Sequence, residues 1–432
     1  MRNKQLMNED LKYIFHPCSQ MKDYEKLPLI PIKRGKGSYI EDFEGNRYLD
    51  SISSWWVNLF GHSNDYINSA IKNQVEELEH VIFAGFTHKP AIDLARRLVA
   101  ITPKPLQKIF FADNGSSAIE IALKMSFQYF KNKGEDRKLF VSLANSYHGE
   151  TMGALAVSDT GLYKDIYSDI LIKTIQAKSP ALVDEDEAIE DMIRVLNKYK
   201  GEVSSVVIEP LIQCAGSMKM YNSSYITKLR KVCNDYGVFL IADEIAVGFG
   251  RTGTMFAIEQ ANISPDFLCL SKGLTGGYMP LSVVMMTNDI YSAFYCDYNE
   301  GKSFLDSHSY TGNTIACAVA NAVLDIFEND NIIDSNKSKI EFIKKHTQKF
   351  KLLDNVKEVR QRGMVCAIEL DGYNAIDRIG LKVFQEALKQ GVYIRPLGHI
   401  IYFMPPYCFT FDELTTMINV TYKVVKDLDI IH

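Results

Sequence analysis

The sequence predicts an α/β chain: a mostly parallel central sheet flanked by helices, with a smaller α+β part attached. Three observations predict it. Helical and strand patterns alternate through most of the chain. Several runs are continuously apolar and end in a polar or charged residue, as strands buried on both faces do. The C-terminal third then changes to hairpin-like strands mixed with helices. The length of 432 residues also exceeds what one hydrophobic core usually serves.

In chain order, SYIEDFEGNRYLD (38–50) reads as a strand pair turning at Glu44-Gly45-Asn46, able to pack with the C-terminal part. The runs KIFFADN (108–114) and KLFVSLA (138–144) read as buried strands. So do SSVVIEP (204–210), VFLIADE (238–244) and DFLCLSK (266–272). Between SSVVIEP and VFLIADE lies a helix capped by Ser223 or Ser224. Its apolar face is Ile226, Leu229, Cys233 and Tyr236, and Gly237 stops it. A seam is expected at 320–335, in FENDNIIDSN. Beyond it come a charged helical stretch (337–351), the hairpin EVRQRGMVCAIEL, a helix ending near Gly391, and VYIRPLGHIIYFMPPY.

Composition bounds the function. Apolar residues at 47% and charged residues at 23% are ordinary for a globular protein and exclude disorder, collagen and coiled coil. Lys+Arg 48 against Asp+Glu 53 gives −5, which argues against a nucleic-acid binder while leaving small anionic ligands open. No run reaches the roughly 18 apolar residues of a membrane span. The N-terminal MRNKQLMNEDLKYIF has acids where a signal peptide needs an apolar run. The eight cysteines form no CxxC pair and no zinc-spaced group with histidine. Free thiols, no metal and a cytoplasmic location are therefore expected.

Open parallel sheets bind ligands beyond their strand carboxyl ends, so Asn114, Glu209, Asp243 and Lys272 are expected along one edge. Lys272 ends an apolar strand, where desolvation lowers its pKa and frees an amine for Schiff-base chemistry. A lysine snorkelling to solvent has the same pattern. Asp243 suits a protonated pyridine nitrogen, or alternatively the metal of a nucleotidase. The second needs a GxxxxGK[ST] loop, and the one GKS (Gly301-Lys302-Ser303) has Cys296 in place of the first glycine. ADNGSSAIEIALKM (112–125) makes a turn into a helix, with Ser117 and Glu120 as a capping box. That turn is an ordinary helix start or a phosphate seat. In NSYHGET (145–151), Tyr147 offers an aromatic face, and His148 is a base or a structural hydrogen-bonding group. Arg395 suits a carboxylate or a surface ion pair. SSWWVNLFGH (53–62) holds both tryptophans, and in extended chain Trp55 and Trp56 face opposite ways. A lysine, an acid, a phosphate turn and a stacking aromatic at neighbouring strand ends are together the parts that hold pyridoxal phosphate.

DEIAVGFGRTG (243–253) followed by SKGLTGG (271–277) resembles the signature of class III pyridoxal-phosphate aminotransferases, of fold type I. The resemblance spans nearly the whole chain. Within the class, HPCSQMKDY (16–24), SSWW, ITPKPLQKIFFADNGSSAIEIALKM and GVYIRPLGHIIYFMPPY resemble the biotin-biosynthesis branch. Ala246, where many relatives have Gln, is similar to that branch as well. The resemblance implies a ping-pong transaminase that aminates 8-amino-7-oxononanoate to 7,8-diaminononanoate, with S-adenosylmethionine as the expected donor and lysine as the alternative. The paired tryptophans and Ala246 speak against the rivals in the class, which act on ornithine, acetylornithine or 4-aminobutyrate.

Residue roles follow from the same resemblance. Lys272 joins the cofactor and moves the proton, Asp243 pairs with the pyridine nitrogen, and Gly115 and Ser116 hold the phosphate. Tyr147 stacks at the ring and borders the substrate, Trp55 lines the substrate pocket, and Arg395 binds the keto acid's carboxylate. DSHSYTGN (306–313) resembles a segment given by a second subunit, with Ser309 on the phosphate and Ser307 and His308 beside it. That implies a homodimer with composite sites. Relatives often have Gly-Pro-Thr there, and some have a tyrosine where this chain has Cys18, at a substrate-recognition position. The implied division is a large domain over 61–325 and a small one built from 1–60 and 326–432.

Overall fold

The computed structural model describes residues 2–27 and 29–428. Met1 and 429–432, at the outer ends of the expected small domain, lie outside them. The central sheet has seven strands. From one edge they are Leu106–Ala112, Ser282–Thr287, Phe267–Leu270, Phe239–Asp243, Val203–Ile208, Leu139–Leu143 and Thr174–Ala177. Only Ser282–Thr287 runs against its neighbours. The rest are parallel, as continuous runs such as Val203–Ile208, buried at every position, require. The five expected strands are present. Two more, Thr174–Ala177 and Ser282–Thr287, complete the sheet.

Helix Ser223–Tyr236 stands where its apolar spacing placed it, and Gly237 ends it in the left-handed region (φ 61°). Its N-cap is Asn222 rather than either serine. Helix Gly115–Asn132 is capped by Asn114, whose side chain accepts from the Ser117 amide at 3.0 Å. The Ser117–Glu120 capping box does not form. Glu120 instead accepts from Thr151 Oγ1, Gly153 N and Ala154 N, at the start of helix Met152–Val157.

The chain ends share one sheet. Strands Ile32–Lys36, Tyr39–Asp42 and Arg47–Asp50 are antiparallel, and Val392–Tyr393 adds beside the third in parallel. The hairpin turn is held by the Asp42 carboxylate, which accepts from the Glu44 and Asn46 amides. A second small sheet joins Val356–Arg362, Val365–Leu370 and Ile400–Phe403. The helix expected from 337 begins five residues earlier, at Ile332, and spans Ile332–Thr347. No described helix is long and apolar enough to cross a membrane. The described cysteines are all free, and no described group of three His, Cys, Asp or Glu is placed to hold a metal.

Candidate active site

The parallel strands end together at one edge of the sheet, and the chemistry-bearing residues lie just past those ends. Phe239–Asp243 delivers Asp243, buried at 5% exposure. Its Oδ2 lies 2.8 Å from His148 Nδ1, and its Oδ1 accepts from the Ile245 amide at 3.1 Å. His148 is also buried, and its amide donates to Ser158 Oγ. The histidine is therefore the structural partner of the acid rather than a free base.

Phe267–Leu270 leads to Lys272, which adopts φ 47°. Lys272 is only partly exposed, and burial lowers its pKa; Cys214, Asp243 and Glu209 pull the other way and do not restore it. Among the described residues Lys272 Nζ makes no ion pair or hydrogen bond; it lies 4.6 Å from the centre of the Trp56 ring. The amine is thus held against an aromatic face, with no described carboxylate in ion-pair contact.

The helix start at Gly115 is the third part. Its first amides have no intrahelical acceptor, and Asn114 takes only that of Ser117. A Cβ at Gly115 would come within 2.8 Å of Ile245, so the backbone approaches the Asp243 loop closely. The Ser116 hydroxyl is already engaged: it accepts from the Glu150 and Thr151 amides and donates to Thr151 Oγ1. Gly149 faces that hydroxyl at φ +125°, where a Cβ would lie 2.4 Å from Ser116 Oγ. The open donors of this turn are therefore amides.

The fourth part is a chain of contacts joining both chain ends to the strand-end loops. Arg395 lies over the Trp55 ring at 4.6 Å and donates to the Cys18 carbonyl at 3.3 Å. Cys18 Sγ is 3.5 Å from the Tyr163 hydroxyl, whose ring is 5.5 Å from that of Tyr147. Tyr147 donates its hydroxyl to Glu150 at 2.9 Å. Burial, then Glu150, raise its pKa far above the tyrosine range. Arg395 makes no ion pair with an acid among the described residues, so the surface-salt-bridge reading does not hold.

Trp55 and Trp56 do face opposite ways, but not because the segment is extended. Ser53, Ser54, Trp55 and Trp56 all have positive φ (53°, 45°, 71° and 74°), a left-handed turn that costs about 1–2 kcal/mol per residue. Trp56 is buried and donates Nε1 to the Tyr402 hydroxyl at 3.0 Å, whereas Trp55 is 40% exposed.

Sequence reasoning missed Tyr163, Glu150, Tyr402 and Asp50, and gave Glu209 a place but no task. Glu209 is buried, accepting from the Tyr147 amide and the Cys214 amide, each at 2.9 Å. Burial raises its pKa to about 7, with Asp243 adding to the rise and His148 and the two amides opposing it. Ser307, His308 and Ser309 are not joined to Lys272, Asp243 or Gly115 by any described contact within one chain. His308 instead braces its own turn, with its amide donating to Thr311 Oγ1 and its Nδ1 accepting from the Tyr310 amide.

The chain is 48% identical to the adenosylmethionine-8-amino-7-oxononanoate aminotransferase of Helicobacter pylori, over 97% of each chain. It is 39% identical to the protein of the same name from Geobacter sulfurreducens, over 96% of each. The crystal structure of the Methanocaldococcus jannaschii protein of that name superposes with a TM-score of 0.95 at 38% identity, covering 98% of this chain and 99% of that one. Residues 20–425 match the family described as Aminotransferase class-III. With the family match spanning nearly the whole sequence and the lysine, acid and helix turn meeting at one sheet edge, the chain belongs to the class-III aminotransferases.

Proposed function

We propose that this aminotransferase moves an amino group onto the keto carbon of 8-amino-7-oxononanoate, giving 7,8-diaminononanoate in biotin biosynthesis, with pyridoxal 5′-phosphate as cofactor. The observation that carries the reading is the Trp55–Arg395–Cys18–Tyr163–Tyr147 chain of contacts, with Lys272 against the neighbouring Trp56 ring. An ω-amino keto acid has an anionic end and a long apolar middle. Arg395 suits the first and the aromatic rings suit the second.

The residues present fit the cofactor. Lys272 is a buried amine without an acidic partner, and its lowered pKa favours the neutral form. Gly115 and Ser116 offer free amides at a helix N-terminus for a phosphate. Asp243, fixed by His148, offers a buried carboxylate that would hold a proton on a pyridine nitrogen. When bound, pyridoxal phosphate supplies a carbonyl carbon that carries the amino group and a ring that withdraws electrons. This chain's part is to bind, orient and move protons. Lys272 Nζ takes and returns the proton at the reacting carbon. Tyr147 covers the site, its backbone anchored on Glu209. Arg395 and Trp55 orient the keto acid, and Cys18 stands beside Arg395 and Tyr163.

We further assign Ser307, His308 and Ser309 to the site of a second copy of this chain, which makes the working unit a homodimer. Their lack of contact with their own chain's Lys272 supports this. The division into 61–325 and the two chain ends is part of the same reading, supported by the sheet that residues 47–50 and 392–393 share. So is a cytoplasmic location, supported by the free thiols. The test is a donor screen with purified protein, pyridoxal phosphate and 8-amino-7-oxononanoate, given S-adenosylmethionine or lysine. Formation of the diamine, read by mass spectrometry, is expected with one of the two donors. No diamine with either would overturn the substrate assignment.

A further inference from the structure

The left-handed turn at Ser53–Trp56 has no glycine to make it favourable, so something else must hold it. Asp50 is fully buried directly before it. One carboxylate oxygen accepts from the Ser54 amide at 2.9 Å. The other accepts from Ser54 Oγ at 2.6 Å and lies 2.9 Å from His62 Nε2. His62 packs against Gly35, where a Cβ would meet its own Cβ at 2.6 Å, so the ring has little room to move away. The far side is tied by Ser53 Oγ, which donates to the Met404 carbonyl at 2.7 Å. Every tie to Ser54 except the chain itself therefore ends on Asp50.

We propose that Asp50, fixed by His62, is a positioning residue that holds Ser53–Trp56 in its left-handed form and thereby sets Trp55 against Arg395. The two tryptophans depend on this tie unequally. Trp56 has its own anchor in Tyr402 and is buried; Trp55 is 40% exposed and lies under the Arg395 guanidinium. Loosening the tie shifts Trp55 first, beside Arg395, to which the substrate's carboxylate is assigned above. The consequence for catalysis rests on that assignment.

The chain has only these two tryptophans, so intrinsic fluorescence reads the turn without any substrate. In Asp50→Asn, emission is expected to shift to the red and acrylamide quenching to rise. The KM for 8-amino-7-oxononanoate should increase roughly tenfold, about 1.4 kcal/mol, with a much smaller change in kcat. Adding Ser54→Gly to Asp50→Asn should bring emission and KM back toward the parent, because glycine takes positive φ without a Cβ penalty. A general loss of packing would not be repaired that way. Wild-type emission and KM in Asp50→Asn, or no recovery with Ser54→Gly, would overturn the proposal. If Asp50→Asn does not fold, His62→Ala leaves Asp50 in place and is read by the same two measurements, with unchanged values counting against the proposal. If the parent protein makes no diamine, the substrate reading fails while the emission shift still decides the role of Asp50.

Discussion

His148 Nδ1 sits 2.8 Å from Asp243 Oδ2, with both side chains buried. A carboxylate buried this deeply needs a partner, and the histidine fixes its direction. Replacing Asp243 by Asn keeps the shape and removes the charge. We expect kcat/KM to fall about a hundredfold or more, as when a preorganised charge is removed from an active site. Steady-state assays beside a circular dichroism spectrum check this. Wild-type kcat/KM in a folded Asp243→Asn protein would contradict the role.

Lys272→Ala should abolish turnover and the yellow colour of the loaded protein. A second consequence concerns the protein without cofactor. The folded pKa of Lys272 lies below its unfolded value because burial penalises the ammonium. Between the two values the unfolded chain binds more protons, so this group's destabilising effect is greatest at low pH and is lost as pH rises through the unfolded pKa. Lys272→Met removes the buried amine. Its cofactor-free form should melt about 2 °C higher than the parent at neutral pH. Melting at or below the parent would show that the amine is not held at a cost.

Much of this site was legible because buried parallel strands announce themselves. VFLIADE and DFLCLSK placed Asp243 and Lys272 at one edge by apolar run and charged end alone. What was not legible depends on residues far apart in sequence. Tyr163 meets Cys18 across 145 positions, and nothing in DTGLYKDIY sets it apart from a surface turn. Ser117 and Glu120 have capping-box spacing, yet Asn114 outcompetes the serine and Glu120 is drawn to another helix start. Local spacing cannot show such competition. The left-handed turn at Ser53–Trp56 was hidden because serine and tryptophan give no signal for positive φ; its ties run to Asp50, four residues before Ser54, and to the distant Met404 carbonyl.

Arg395 and Cys18 can be separated because the cysteine holds the arginine through its backbone. Arg395→Ala should raise the KM for 8-amino-7-oxononanoate about tenfold or more. Arg395→Lys should recover little, since an ammonium cannot reproduce the planar contact over Trp55. Cys18→Ala leaves the carbonyl in place and removes only the thiol beside Tyr163. It should leave the keto acid's KM near the parent value and move that of the amino donor. A change confined to the donor in Arg395→Ala would reverse the assignment of the arginine.

Glu209 gives a pH-dependent prediction of fixed sign. Burial raises its folded pKa from 4.5 to about 7, against the pull of His148 and of the Tyr147 and Cys214 amides. Between those values the folded protein binds more protons than the unfolded chain. The group's contribution to stability is therefore fully present below pH 4.5 and is lost as pH rises through about 7. Glu209→Gln does not titrate, although it leaves one of the two amides without its acceptor, a constant penalty of about 1–3 kcal/mol. The melting temperature of Glu209→Gln minus that of the parent should thus climb from pH 4.5 to 7 and level off above. Differential scanning fluorimetry across that window measures it. A difference that stays flat would mean that burial does not raise the pKa of Glu209 in the folded protein.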